Sequence, residues 1–251
     1  MKFTRRVFSA VAVSAALMVG ACGGGGDGAP SAGQGNYERA GDRGLGNPDA
    51  PVTIIEYASV ACGACAQFHN TVYPTLEEYI EAGQLRFVLR EMITGSPQFA
   101  IAGFSLAHCV PEDQYFDMVD LLFQQQGAIF QAAQTRGSAR NQYLAIARSM
   151  GLSEDEFVAC LNNEEINQSI VDAHDRAADD GITGTPQFLI NGQLLEANRA
   201  PGASEYTFFL GTRQVMIDGE PVPAMMDAET FSAIIDHLIA EADGAAEADG
   251  E

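Results

Sequence analysis

The chain has 251 residues, 34 acidic and 13 basic, for a formal charge of −21. That balance excludes a nucleic-acid binder, whose partner's phosphates need a basic face, and equally an electrostatic grip on anionic lipid. The length suits one domain with an insertion, and the acidity itself reads as solubility.

The first residues read as an export signal. Lys2, Arg5 and Arg6 form a basic start, and Val7 to Val19 is mostly apolar but too short to span a bilayer as a mature helix. Removing residues 1–21 deletes those three cations and no acid, which takes −21 to −24. Val19-Gly20-Ala21-Cys22 resembles a bacterial lipobox, in which the cysteine is lipidated and becomes the mature N-terminus; ordinary cleavage near Ala21 would leave Cys22 as a spare thiol. Thr4-Arg5-Arg6-Val7-Phe8 resembles a twin-arginine export motif, while the apolar stretch suits the general secretory route. Residues 22–46 are rich in Gly, Ala and Ser, cannot bury a core, and are expected to form a flexible tether to a domain over 47–242.

Val52 to Ala58 is nearly continuous in apolar residues, as a strand covered on both faces should be. A helix follows through Phe68, Val72, Leu76 and Ile80, with Pro74 expected to kink it. Phe87-Val88-Leu89 reads as the next parallel strand and completes a βαβ unit. From about residue 96 to 180 the pattern is helical throughout: Pro111-Glu112-Asp113 opens one helix, Ser153-Glu154-Asp155-Glu156 is a capping box, and Ile166, Ile170, His174 and Ala177 form one stripe stopped at Gly181. Phe188-Leu189-Ile190 is a third strand closed by the turn signal Asn191-Gly192. A second signal, Ile217-Asp218-Gly219, leaves two topologies open for residues 195–226. Phe231, Ile234, Ile235, Leu238 and Ile239 make a last helix, with Asp227 as its cap. Residues 243–251 read as a solvated acidic tail.

The chemistry centres on Cys62-Gly63-Ala64-Cys65, at the strand-to-helix junction. A cysteine at a helix N-terminus meets unpaired N–H groups and the positive end of the dipole, which favour a thiolate; a second cysteine one turn on can close a reducible disulfide. The same spacing serves zinc, but a structural zinc site needs four ligands, and Cys22, Cys109 and Cys160 are isolated while His69, His108, His174 and His237 form no ligand pair. A merely structural disulfide over so short a loop would gain little. No metal is expected. His69, two helical turns beyond Cys62, reads as a packing or surface histidine and not as an acid–base group. Cys109 and Cys160 both fall in the helical stretch; in an oxidising compartment they would tend to pair, with two buried free thiols as the alternative.

Two segments carry a resemblance. Glu56-Tyr57-Ala58-Ser59-Val60-Ala61-Cys62-Gly63-Ala64-Cys65-Ala66-Gln67-Phe68-His69 and Gly181-Ile182-Thr183-Gly184-Thr185-Pro186-Gln187-Phe188-Leu189-Ile190-Asn191-Gly192, flanking the helical stretch, resemble the DsbA-like family of bacterial thiol–disulfide oxidoreductases. The resemblance implies an α/β thioredoxin fold with an all-helical insertion. It implies Cys62 as nucleophile, Cys65 as its partner, and Pro186 as a cis-proline facing the dithiol, with Thr185 shaping contact with an extended substrate; an ordinary loop proline is the plainer reading. It implies a buried carboxylate at Glu56 that moves protons near Cys65, against the alternative of an acid at an exposed strand end. Some relatives carry a second disulfide where Cys109 and Cys160 lie. It also implies disulfide formation in unfolded or partly folded exported proteins, reoxidation by a DsbB-type membrane quinone-linked oxidase, no separate cofactor, and a periplasmic, cell-envelope site with membrane contact only through the lipid anchor. The chain departs from the family's strongest oxidants in one respect: Gly63 and Ala64 offer no histidine to hold the thiolate, so a milder potential is expected. A reductase or isomerase on the same fold, and a surface binding lipoprotein with a vestigial redox site, are the competing readings.

Overall fold

The computed structural model describes residues 37–135 and 138–248. The export signal, the lipidation candidate Cys22 and tether residues 22–36 lie outside them. The expected tether is corrected at its far end. Arg43–Leu45 forms a short strand, β1, antiparallel to Phe87–Leu89. Around it Glu38 pairs with Arg86 at 2.7 Å, Asp42 with Arg90 at 2.7 Å, and Arg39 with Asp180. Charge pairs and ladder hydrogen bonds fasten this segment, so its shortage of large apolar residues was a poor guide to its order.

Val52–Ala58 (β2) is buried throughout. Strand alternation gives it two partners. Ile54 and Ala58 face the main core, while Ile55 and Tyr57 face a smaller cluster with Val88, Met92, Ala177 and Ile182. The chain then forms helices α1 (Gly63–Thr71) and α2 (Tyr73–Glu81), broken at Val72. Pro74 stands in the first turn of α2, where its missing N–H leaves no bond unmade. Leu85–Glu91 (β3) pairs parallel with β2 and completes the βαβ unit.

The insertion is helical, as expected: α3 (Pro97–Cys109), a 3₁₀ turn at Glu112–Gln114, α4 (Tyr115–Ala133), α5 (Ser138–Ser149), α6 (Glu154–Leu161) and α7 (Glu164–Asp179). The capping box is present: Ser153 Oγ accepts from the Glu156 N–H at 3.2 Å, and the Ser153 N–H donates to Glu156 Oε2 at 2.8 Å. A Cys109–Cys160 disulfide ties α3 to α6.

Gln187–Ile190 (β4) runs antiparallel to β2 and turns at Asn191-Gly192, φ 46° and 75°, into Gln193–Asn198 (β5). Both turn signals prove to be hairpins. Thr207–Leu210 (β6) and Arg213–Gln214 (β7) extend the sheet, and Asp218-Gly219, φ 52° and 83°, joins the small ribbon Met216–Ile217 (β8) and Glu220–Pro221 (β9). The main sheet has the order β1-β3-β2-β4-β5-β6-β7. Finally Ala228–Ala248 (α8) opens with the Thr230 N–H donating to Asp227 Oδ1 at 2.8 Å, and packs Phe231, Ile234, Ile235 and Leu238 into the main core. It corrects the expected tail, because residues 243–248 continue the helix; alanine, the best helix former, supplies much of that stretch. Residues 249–251 lie outside the described residues.

Candidate active site

Where β2 ends, Ser59 to Ala61 turn the chain into α1, and Cys62 becomes the helix N-cap with extended dihedrals, φ −96° and ψ 122°. Cys62 is partly exposed and Cys65 buried, and both are free thiols. Gly63 and Ala64 are exposed between them.

Three further segments close around this turn. The Thr185–Pro186 peptide is cis, and the Cys62 thiol donates to the Thr185 carbonyl at 3.3 Å. The Gln187 side-chain oxygen accepts from the N–H groups of Thr183 (2.9 Å) and Gly184 (3.1 Å) and so braces that loop. After β3, the Thr94 and Thr185 hydroxyls meet at 2.5 Å, and Ser59 Oγ donates to the Thr94 carbonyl at 3.0 Å. Gly95 has φ 73°, and a Cβ there would collide with the Ala61 carbonyl, so only glycine lets this loop lie against the dithiol turn. From the insertion, Gln126 on α4 donates to the carbonyls of Val60 (2.9 Å) and Cys62 (3.0 Å).

The Cys62 thiol is lowered to about 5. The Cys65 thiol, donating to the Cys62 sulfur, is the main cause; burial opposes it, and the Thr185 side chain with the Cys65 and Ala64 N–H groups adds support. Cys65 moves far the other way, because its proton is held in that bond, it is buried, and the Glu56 charge disfavours a second anion. One cysteine is thus set as the nucleophile and the other as its protonated partner.

Glu56 points to the same face as Ile54 and Ala58 and is 0% exposed, which decides for the buried carboxylate. Its Oε2 lies 2.8 Å from His69 Nε2. His69 is buried, not at the surface. Its ring stacks on Phe123 at 4.0 Å and tilts against Tyr73 at 4.7 Å, so the packing half of the sequence reading holds, but the carboxylate contact was missed. Spacing carried a signal for it: residues 65 and 69 share one helical face, which must look at the β2 residue beneath. Thr94, Gly95 and Gln126 carried no such signal, because they reach the dithiol turn and its facing loop only through tertiary contact.

Of the expected site residues, Cys62, Gly63, Ala64, Cys65, Thr185, Pro186 and Glu56 assemble here, and Cys109 and Cys160 bridge two helices elsewhere. An open depression of about 270 Å³ beside Pro186 is lined by Phe188, Leu195, Phe208 and Met226 among others, and Tyr206 and Met225 are each more than half exposed. Among the described residues, no group of three or more histidine, cysteine or acidic side chains is arranged to hold a metal, and no helix is long and apolar enough to cross a membrane.

A family model described as thioredoxin matches residues 38–206. A Rickettsia typhi protein bearing the name protein-disulfide oxidoreductase is 28% identical over 159 residues, 61% of this chain and 55% of that protein, so the chain spans about half the length of this relative. A Bacillus anthracis protein named disulfide bond formation protein D is 28% identical over 153 residues, 60% of this chain and 70% of that protein. The crystal structure of Wolbachia pipientis alpha-DsbA1 aligns with a TM-score of 0.62 at 25% identity, covering 82% of this chain and 94% of that one. With the family match spanning well over half of its residues, the chain belongs to the thioredoxin family, and its fold is the DsbA-like form with a helical insertion.

Proposed function

We propose that this chain is a cell-envelope protein thiol–disulfide oxidoreductase that forms disulfides in exported proteins through Cys62 and Cys65. In its oxidised form a substrate thiolate attacks Cys62 Sγ. The Cys62–Cys65 bond breaks, a mixed disulfide forms, and the electron pair passes to Cys65 Sγ, which takes up a proton. A second substrate thiolate then attacks the substrate sulfur of the mixed disulfide. The substrate leaves with its new disulfide, and Cys62 leaves as the thiolate its surroundings favour. Two electrons move from substrate to enzyme, and a membrane quinone-linked oxidase of the DsbB type would remove them.

The observation that carries this reading is the opposed setting of the two thiols at one helix start, with Cys62 facing the Thr185 carbonyl across the cis-proline loop. Glu56 is the group that exchanges the Cys65 proton. Thr185, Pro186 and the open depression beside Pro186, with both apolar and polar lining, suit an unfolded chain laid down in extended form. The export signal and Cys22 would hold the enzyme on a periplasmic membrane face through lipid alone.

The test is trapping. With Cys65→Ala, the mixed disulfide at Cys62 has no intramolecular thiol to resolve it. Isolation from an oxidising envelope should yield disulfide-linked adducts with exported proteins, absent when Cys62→Ser is added. No adducts would favour the surface-binding reading instead.

A further inference from the structure

We propose that His69 and Asp120 form a proton port that serves Cys65 through Glu56, so that the helical insertion supplies the solvent end of the dithiol's proton path. This rests on reading Cys62–Cys65 as the redox centre.

The need for a port follows from burial. Cys65 and Glu56 are both 0% exposed. When the Cys62–Cys65 bond breaks, Cys65 receives the electron pair beside a carboxylate, and two buried neighbouring anions are costly. A proton must reach Cys65 Sγ, and in the reverse direction it must leave.

The buried groups line up for that transfer. Glu56 Oε2 meets His69 Nε2 at 2.8 Å. Glu56 Oε1 makes no hydrogen bond, so one carboxylate oxygen is left to exchange with Cys65. At the other side of the ring, His69 Nδ1 also makes no hydrogen bond, and Asp120 Oδ1 stands 3.8 Å from it. Asp120 lies on α4 with its side chain 33% exposed, so a rotation of that carboxylate connects Nδ1 with solvent. The transfer balances. Asp120 passes a proton from solvent to Nδ1 and so charges the ring; the charged ring gives its Nε2 proton to Glu56, and Glu56 gives one to Cys65 Sγ. When the disulfide re-forms, the Cys65 proton returns through Glu56 to Nε2 and the Nδ1 proton leaves through Asp120.

The groups facing this set are Glu56 from β2, Cys65 from α1, Tyr73 and Glu77 from α2, and Asp117 and Asp120 from α4. Burial alone would push His69 down, but the Glu56 and Asp120 carboxylates outweigh it and raise the ring to about 9. His69 is therefore a charged donor at neutral pH, a state a purely apolar packing role would not provide.

The test follows reduction of the oxidised protein by excess dithiothreitol, acid-quenched between pH 6 and 10, with the rate constant expressed per dithiothreitol thiolate. In the unaltered protein it should be level at neutral pH and fall as pH rises through about 9. His69→Gln keeps an N–H for Glu56 but cannot relay a proton. It should slow the reaction at least about tenfold at pH 7 and abolish that limb. Asp120→Asn, at a partly exposed position, should leave the fold intact and move the limb to lower pH. If His69→Gln does not fold, Asp120→Asn decides alone. Profiles unchanged in the folded variants overturn the port. If dithiothreitol reduces no Cys62–Cys65 bond in the unaltered protein, it is the redox reading that fails.

Discussion

Replacing Cys65 with alanine removes the S–H group that most supports the Cys62 thiolate. With the Cys62 thiol at about 5, thiolate exceeds thiol by about 100 to 1 at pH 7, whereas a free thiol near 8.5 is only about 3% ionised. In Cys65→Ala the Thr185 side chain and the backbone N–H groups remain. The ionisation midpoint should therefore rise by at least about one unit yet stay below about 8.5. Cys65→Ser, whose hydroxyl also donates, should lie between the two. The assay is iodoacetamide alkylation of Cys62 followed by mass spectrometry from pH 3 to 10, with the Cys109–Cys160 bridge intact. A midpoint near 8.5 in the unaltered protein, or an unmoved midpoint in Cys65→Ala, would refute the assignment of cause.

Thermal unfolding of the oxidised form tests the buried ion pair without interference from Cys62. His69 is raised to about 9 against about 6.5 unfolded, so its contribution is complete below pH 6.5 and lost as pH rises through 9, by up to about 1.4 kcal/mol per pH unit. His69→Gln should flatten that decline, and an equal decline in the variant would show that other groups cause it. Replacing Cys109 and Cys160 together with alanine opens a bridge between positions 51 apart in sequence, which loop-closure entropy values at about 4 kcal/mol. Urea unfolding should show most of that loss, and a change under about 1 kcal/mol would mean the bridge is not structural. Gly95→Ala places a Cβ against the Ala61 carbonyl at a positive φ. It should cost more than about 1 kcal/mol and slow dithiol exchange, and a variant with unaltered melting and exchange would show that the loop's close approach is not required.

The redox turn was legible because its signals are local. An apolar run, a helix start and two cysteines one turn apart fix a strand-to-helix junction without distant contacts. The insertion was legible from its periodicity and from the Ser153 capping box, which needs only four consecutive residues. Sequence distance hid the remainder. His69 meets Glu56 across 13 positions, Thr94 meets Thr185 across 91, and Gln126 reaches Cys62 across 64. The segment from Glu38 to Asp42 looked like tether because composition registers apolar burial and not pairing with Arg86, Arg90 and Asp180. Asn191-Gly192 and Asp218-Gly219 left the path through residues 195–226 open, and only the pairing of β4 with β5 and of β8 with β9 settles how both turns are used.

The direction of electron flow is the central claim, and Gly63 and Ala64 supply no side chain that sets it. The reduction potential of Cys62–Cys65, measured against glutathione with Cys109 and Cys160 replaced, decides it directly. A depressed Cys62 thiolate predicts a value between about −120 and −180 mV, as suits a disulfide former; a value near about −270 mV would contradict the account and make the chain a reductase.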